Sequence, residues 1–271
     1  GYVYAPRIAQ KKGAIIIMER GSKHILEQKK ILEKNPHKKN EAIPNRNIKC
    51  NLKAYQFANF ISVASQHVKE SFLLHQYPEN RIFVNPYGVD LSMFKPLPNI
   101  PKKYDVIMVG GWGYEKGCDL IVEAIRKTNY SFIHVGSIKD VDFPQEKNFT
   151  HIDPVDQSKL IEYYNQAKVF ILPSRQDGFG MVLSQALACN LPIIGSNNCG
   201  APDLKKMVEL PEYITIIKDY TADAIVTAIH TAIKNYEQLG ERIYAGNAIE
   251  NLTWEAYGKR YANFLHKIIK Q

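Results

Sequence analysis

The sequence predicts an α/β protein built around two doubly wound parallel sheets, and three observations carry that prediction. Short apolar strands alternate with amphipathic helical stretches along most of the 271 residues. The strands are continuously apolar rather than alternating, as expected when helices cover both faces of a sheet. A stretch containing Pro86, Pro96, Pro98 and Pro101 interrupts the pattern once, between two series of such units, and reads as an interdomain linker.

In the first series, strands are predicted at 14–18, 60–64 and 82–85, separated by amphipathic stretches around 23–34, 52–57 and 66–76. A parallel neighbour requires a crossover, and these helices supply it. The second series runs strand 105–109, helix 117–127, strands 131–135 and 149–152, helix 158–167, strand 169–172, helix 179–188 and strand 192–195. From Thr221 onward the chain reads as helical, with Gly240 and Gly246 as punctuation. The last helix, 253–269, carries Trp254, Tyr257, Tyr261, Phe264 and Leu265 along one side.

Composition narrows the function classes. Hydrophobic residues at 45% and charged residues at 23% are ordinary for a globular protein and exclude wholesale disorder. No apolar run nears the ~20 residues needed to cross a bilayer, because the run through Met18 is cut by Glu19 and Arg20. The segment from Gly1 to Lys12 lacks the apolar centre and small-residue cleavage site of a secretory signal, so a cytoplasmic protein is expected. Cys50, Cys118, Cys189 and Cys199 show neither CxxC nor Cys/His zinc spacing, which predicts four small buried residues and no metal site. The net charge of +8 suits an anionic partner. Lysines concentrate at Lys29, Lys30, Lys34, Lys38 and Lys39, read as a solvated helix face and its exit loop. No aromatic-rich RNA-binding motif or zinc-finger spacing accompanies them, which argues against nucleic acid.

Two loops hold residues suited to chemistry. The first, Gly110-Gly111-Trp112-Gly113-Tyr114-Glu115-Lys116-Gly117, places glycines at a strand end and a lysine at a helix start. Backbone amides there can approach a diphosphate closely, and the helix N-terminus adds positive potential. It is not a dinucleotide fingerprint, since the G-x-G-x-x-G spacing fails and the next strand ends at Val135-Gly136 without a ribose-binding acid. Nor is it a P-loop, because Gly117 and not Ser or Thr follows Lys116. The second loop, from Pro173 through Asp177-Gly178-Phe179-Gly180 into the helix holding Gln185, lies where open α/β sheets bind ligands.

Asp177-Gly178-Phe179-Gly180 followed by Gln185-Ala186-Leu187-Ala188 resembles the E-G-F-G-x-x-x-x-E-A-M-A signature of glycosyltransferase family 4. Asn85-Pro86-Tyr87-Gly88-Val89-Asp90 with Phe94 and Pro96 resembles that family's hinge segment. Val109 to Gly117 resembles its V-G-R-x-x-x-x-K-G loop, and Glu19-Arg20-Gly21-Ser22 and Trp254 are similar to further family features. The resemblance implies the GT-B architecture of two Rossmann-like domains. Residues 1–98 would be a partial acceptor-side domain, 99–252 the nucleotide-sugar domain, and 253–271 a helix packing back toward the first.

The implied activity is retaining transfer of a sugar from a UDP- or GDP-linked donor to an acceptor hydroxyl in glycan, glycolipid or polysaccharide synthesis. It implies no cofactor and no metal. Lys116, the amides of Gly110 and Gly111, and the helix start at Phe179-Gly180 would stabilise the departing diphosphate. Gly178 belongs to the same donor-binding loop. Asp177 would contact donor-sugar hydroxyls, and Gln185 the ribose. The donor phosphate would itself accept the acceptor proton. His24, near a helix start, is the acceptor-side catalytic candidate. Two departures stand out: Gly111 occupies the position of the family's phosphate-binding arginine, and Asp177 and Gln185 replace its two glutamates. A neutral amide forgoes the roughly twofold strength of a charge-assisted hydrogen bond. The alternative is therefore a catalytically silent sugar-nucleotide-binding subunit.

The front half shows about three strands where a doubly wound domain has about six, so a fragment lacking the start of its first domain is expected. The basic stretch 29–39 would then lie near an anionic membrane face holding a lipid-linked acceptor, making the protein peripheral at the inner membrane face.

Overall fold

The computed structural model describes residues 4–37, 43–239 and 246–270. Lys38, Lys39 and Gly240 lie outside them. Among the described residues two parallel sheets are formed, of three and six strands, in the α/β class expected from the sequence.

The first sheet has the order β1 (Ile17–Arg20), β2 (Phe60–Val63), β3 (Ile82–Val84). Around it lie α1 (Tyr4–Lys11), α2 (Ile25–Leu32), α3 (Asn45–Phe57) and α4 (Gln66–Leu73). Strand β1 sits three residues later than the apolar run suggests. Its ladder with β2 begins at Ile17 opposite Phe60, while Ile16 is spent on Asn59, whose side chain accepts from Ile16 N at 2.8 Å. The two short helices α1 and α8 (Ala201–Lys205) were not legible in the apolar pattern, and α3 starts earlier than its apolar part. The local core gathers Ile25, Tyr55, Ile61, Val68 and Phe72.

The second sheet has the order β6 (Phe149–Ile152), β5 (Phe132–Val135), β4 (Tyr104–Val109), β7 (Ala167–Leu172), β8 (Ile193–Ser196), β9 (Ile214–Ile217). Helices α5 (Cys118–Arg126), α6 (Gln157–Asn165), α7 (Met181–Ala188) and α9 (Ala222–Leu239) lie between and beside its strands. Strands β4, β5, β7 and β8 are buried along nearly their whole length, as continuous apolar strands require. Edge strand β9 was missed, although Ile214-Thr215-Ile216-Ile217 is a β-branched run bounded by Pro211 and Asp219. Chain order reverses about β4: β5 and β6 lie on one side, β7 to β9 on the other. The loops leaving the carboxyl ends of β4 and β7, adjacent in space, therefore flank the switch-point crevice.

Helix α10 (Trp254–Ile269) returns to the three-stranded sheet. Phe264 stacks on Phe83 with centroids 4.2 Å apart and meets Phe60 edge-on, contacts worth about 0.5–1.5 kcal/mol beyond area burial. Arg260 donates to Asn85 Oδ1 at 2.7 Å and to Pro86 O at 2.8 Å. Gly88 is required where this helix starts, since a Cβ there would collide with the main chain of Thr253 and Trp254. Of the four cysteines, Cys118, Cys189 and Cys199 are buried, while Cys50 on α3 is half-exposed, against expectation. On α2, Lys30 pairs with Glu27 within the helix and Lys29 with Glu33 at its C-cap, the mark of a locally neutralised solvated face. No helix among the described residues is long and apolar enough to cross a membrane.

Candidate functional site

The loop after β4 is held by its neighbours on both sides. Gly110 adopts φ of 123°, its N–H donates to Val135 O at 2.9 Å, and its carbonyl oxygen lies 2.8 Å from His134 Nε2. Trp112 is fully buried, its main-chain N–H donates to Ser137 O, and Lys139 N donates back to Trp112 O. A single tight turn, Tyr114–Lys116, then leads to Gly117 at φ of 75°, where a Cβ would meet Pro173 O, so no other residue fits without a shift.

The loop after β7 is locked onto that turn. Arg175 N and Gln176 N both donate to Glu115 O. The Arg175 guanidinium grips Asp119 with two bonds of 2.6 and 2.7 Å, donates to Tyr114 O, and lies 3.8 Å above the Tyr114 ring. Asp177 N donates to Asn198 O, and Gly180, at φ of 79°, opens α7. Lys116 Nζ and Asp177 Oδ2 form an ion pair 2.5 Å long, which joins the two loops directly.

The three-stranded unit closes the other wall. Ser65 donates through its hydroxyl to Gly178 O at 2.6 Å, and Lys23 Nζ donates to Asn198 Oδ1 at 2.6 Å. Gly178 packs so tightly on Gly21 that a Cβ there would collide with the Gly21 carbonyl. Tyr87 meets Phe179 edge-on at 5.9 Å. The result is a cavity of about 300 Å³ lined by Gly21, Tyr87, Gly110, Lys116, Asp177, Phe179, Gly180 and Met181. Beyond Lys116 lies a second hollow of about 110 Å³, lined by Gly111, Gly113, Glu115, Lys139 and Asp140 among others.

Burial sets the electrostatics here. It pushes the Glu115 carboxyl up, against the opposing pull of Lys116. It pushes the Lys23 ammonium down. His67, on α4, is lowered to about 4 by burial, assisted by the Lys23 charge. Neither His67 ring nitrogen meets hydrogen-bond geometry, although the Asp177 and Gly178 main chain lies close enough to oppose that shift.

The sequence-derived residues divide accordingly. Gly110, Lys116, Asp177, Phe179 and Gly180 converge on one cavity, and Gly111 lines the adjoining hollow. Gly178 seats the loop on the other unit. Gln185 is 7% exposed, its side-chain oxygen accepts from Tyr164 at 2.9 Å, and it is not among the residues lining the cavity. His24 is corrected: it is 4% exposed, its Nδ1 accepts from Leu26 N as the cap of α2, and its ring packs among Tyr55, Phe72 and His75. Burial, with His75 and Arg20 beside it, lowers it to about 4. An imidazole so enclosed caps a helix and is not presented to an acceptor. Sequence reasoning missed Arg175, Lys23, His67 and Lys139. Only Arg175, two residues before Asp177, carried a signal, as a cation inside the motif loop.

Residues 92–248 match the family described as Glycosyl transferases group 1. The chain is 26% identical over 242 residues to a probable sucrose-phosphate synthase of Thermosipho melanesiensis, covering 79% of this chain and 56% of that one. It is 23% identical over 242 residues to the GDP-mannose-dependent alpha-(1-6)-phosphatidylinositol monomannoside mannosyltransferase of Mycolicibacterium smegmatis, covering 77% and 62%. It thus spans little more than half the length of these relatives. Among solved structures, Anabaena HepE in complex with UDP and glucose superposes with a TM-score of 0.73 at 15% identity, covering 98% of this chain and 75% of that one. The sucrose-phosphate synthase of Thermosynechococcus elongatus superposes with a TM-score of 0.67 at 18% identity, covering 94% and 68%.

Proposed function

The chain belongs to the glycosyl transferases group 1 family, and from that premise we propose that it transfers a sugar from a nucleoside-diphosphate donor to an acceptor hydroxyl with retention, in the manner of family 4. The observation that carries the reading is the shared cavity: glycine-rich turn, Lys116, Asp177 and the start of α7 meet at the switch point. The diphosphate lies against the Gly110 main chain and the first turn of α7, whose unpaired N–H groups favour an anion. Lys116 turns from Asp177 to the leaving phosphate, and Asp177 accepts hydrogen bonds from donor-sugar hydroxyls. The bond from the anomeric carbon to the diphosphate breaks, and the acceptor oxygen bonds to that carbon on the same face. The acceptor proton passes to a diphosphate oxygen. Stabilising the developing phosphate charge is the protein's main contribution. No cofactor and no metal has a part in the scheme.

The acceptor side belongs to the three-stranded unit, whose Gly21, Lys23 and His67 face or adjoin the cleft. A glycan or lipid-linked acceptor, with peripheral attachment at the inner membrane face, fits this reading. The internal pairing of Lys29 and Lys30 reduces what α2 offers to an anionic surface.

A second reading, a silent sugar-nucleotide-binding subunit, is favoured by the lack of a charge at Gly111 and at Gln185, where the family carries an arginine and a glutamate. Thermal denaturation with UDP and with GDP, alongside transfer and hydrolysis of radiolabelled donors, separates the two. Stabilisation with turnover supports the transferase, stabilisation without turnover the binding subunit, and no stabilisation by either UDP or GDP sinks both.

A further inference from the structure

One side chain outside both motifs enters the phosphate corner. The space that a Cβ on Gly111 would fill is occupied by the stem of Lys139, whose Cε touches it and whose Nζ lies 2.8 Å away. Lys139 belongs to the loop after β5, which is fastened to the glycine-rich loop at three points. Trp112 N donates to Ser137 O at 2.8 Å, Lys139 N donates to Trp112 O at 2.9 Å, and Trp112 and Ile138 form a parallel bridge. The main chain fixes where the lysine departs, while the residue itself is exposed and its end can turn. Its neighbours in the small hollow include Gly111, Gly113 and Lys116, and Lys116 also borders the larger cavity.

The surrounding charges decide what this lysine is suited to. Lys116 and Arg175, the other cations of the two loops, are paired with Asp177 and Asp119. Lys139 makes no ion pair among the described residues. The neighbouring Asp140 has both carboxylate oxygens engaged, one by Tyr114 N at 3.0 Å and the other by Asn35 Nδ2 at 2.7 Å. Burial pushes the Glu115 carboxyl toward its neutral form. Among the described residues lining the two hollows, the one other cation is Lys116, already paired with Asp177.

We propose that Lys139 is a second cation of the donor site, reaching the diphosphate of the nucleoside-diphosphate sugar across Gly111. The glycine and the lysine form one unit: the absent side chain leaves the path that the lysine takes from the neighbouring loop. This deepens the donor-binding reading above and rests on it.

Calorimetric titration of the whole chain with UDP, GDP and the matching monophosphates tests the assignment. Lys139→Ala weakens the diphosphate that wild type binds by about tenfold, as loss of a charged hydrogen bond does, and weakens the monophosphate less. Lys139→Arg retains most of the affinity, and both variants melt with wild type because the side chain is exposed. Gly111→Arg alone gains little, since the new side chain takes the place of the Lys139 end, which turns away, and one cation is exchanged for another. In the Lys139→Ala background the same arginine has room and recovers the lost affinity. If wild type binds neither diphosphate, the donor-site reading fails. If wild type binds one and Lys139→Ala binds it equally well, or Lys139→Arg loses as much as Lys139→Ala, the lysine assignment alone is overturned.

Discussion

Replacing Arg175 by alanine should loosen the junction between the two functional loops and lower the stability of the six-stranded unit. Arg175 makes a bidentate pair with Asp119, one bond to Tyr114 O, and a ring contact at 3.8 Å. Its side chain is 16% exposed and that of Asp119 20%. An exposed pair contributes up to about 1 kcal/mol, while stripping one partner from a buried pair costs about 3–5 kcal/mol. This pair is four-fifths buried, so the discounted expectation is a loss of about 2–4 kcal/mol, including about 0.5–1 kcal/mol from the ring. At about 2–4 °C per kcal/mol for a chain of this size, the melting temperature falls by about 4 °C or more. Circular dichroism melts and urea titration read the change. Arg175→Lys, which keeps the charge but loses the fork and the stacking plane, falls between wild type and alanine. Adding Asp119→Ala to Arg175→Ala removes the orphaned carboxylate, and the cycle should show coupling of about 1 kcal/mol or more. A melting temperature within about 1 °C of wild type, or additive single effects, would refute the claim that this pair clamps the loops.

Three further outcomes are expected. Lys116→Ala lowers turnover of radiolabelled donor by one or more orders of magnitude, and unchanged turnover contradicts its role at the leaving phosphate. Gly178→Ala cannot keep the contact with Gly21, so the two units should part, and small-angle scattering should report a larger radius of gyration with weaker stabilisation by nucleoside diphosphate. His24, His67 and His134 are each lowered to about 4, chiefly by burial. Above that pH they stay neutral in the folded chain, while unfolding lets them take up protons below about 6.5. Stability is therefore full above about pH 6.5 and declines toward pH 4, by up to about 1.4 kcal/mol per pH unit for each histidine. Urea midpoints across that range, compared with His134→Phe, should show the slope reduced in the variant, and equal slopes would count against the assignment.

Much of the fold was legible because burial on both faces leaves a direct trace in composition. Runs such as 105–109 and 169–172 are apolar at every position or nearly so, and their central strands form as read. Where pairing rather than burial sets the limits, the pattern misled. The apolar stretch 14–18 yields to a strand at Ile17–Arg20, because the register with Phe60 and the Asn59 side chain decide where the ladder begins. Strand β9, a β-branched run no shorter than the predicted edge strand β6, was missed.

Within the site, residues of one contiguous motif were found and their distant partners were not. Glycine positions, Lys116 and Asp177 follow from local sequence, since a tight turn and a helix start are properties of neighbouring residues. That Gly110 and Asp177 share a cavity depends on β4 and β7 lying side by side, a consequence of sheet order. His24 seemed chemical because it stands at a helix start, and only the packing of Tyr55, Phe72 and His75 reveals a cap. Lys139 had no sequence signal at all, being 28 residues from Gly111 and placed by a main-chain bridge between two loops. The amino-acid order alone determined the α/β class, the strand-and-helix series and the two phosphate-suited turns, because these express hydrophobic period and local backbone freedom. Which charges meet, which are already paired and which histidine is enclosed were decided by tertiary packing, since Coulomb and desolvation energies depend on distances through space rather than along the chain.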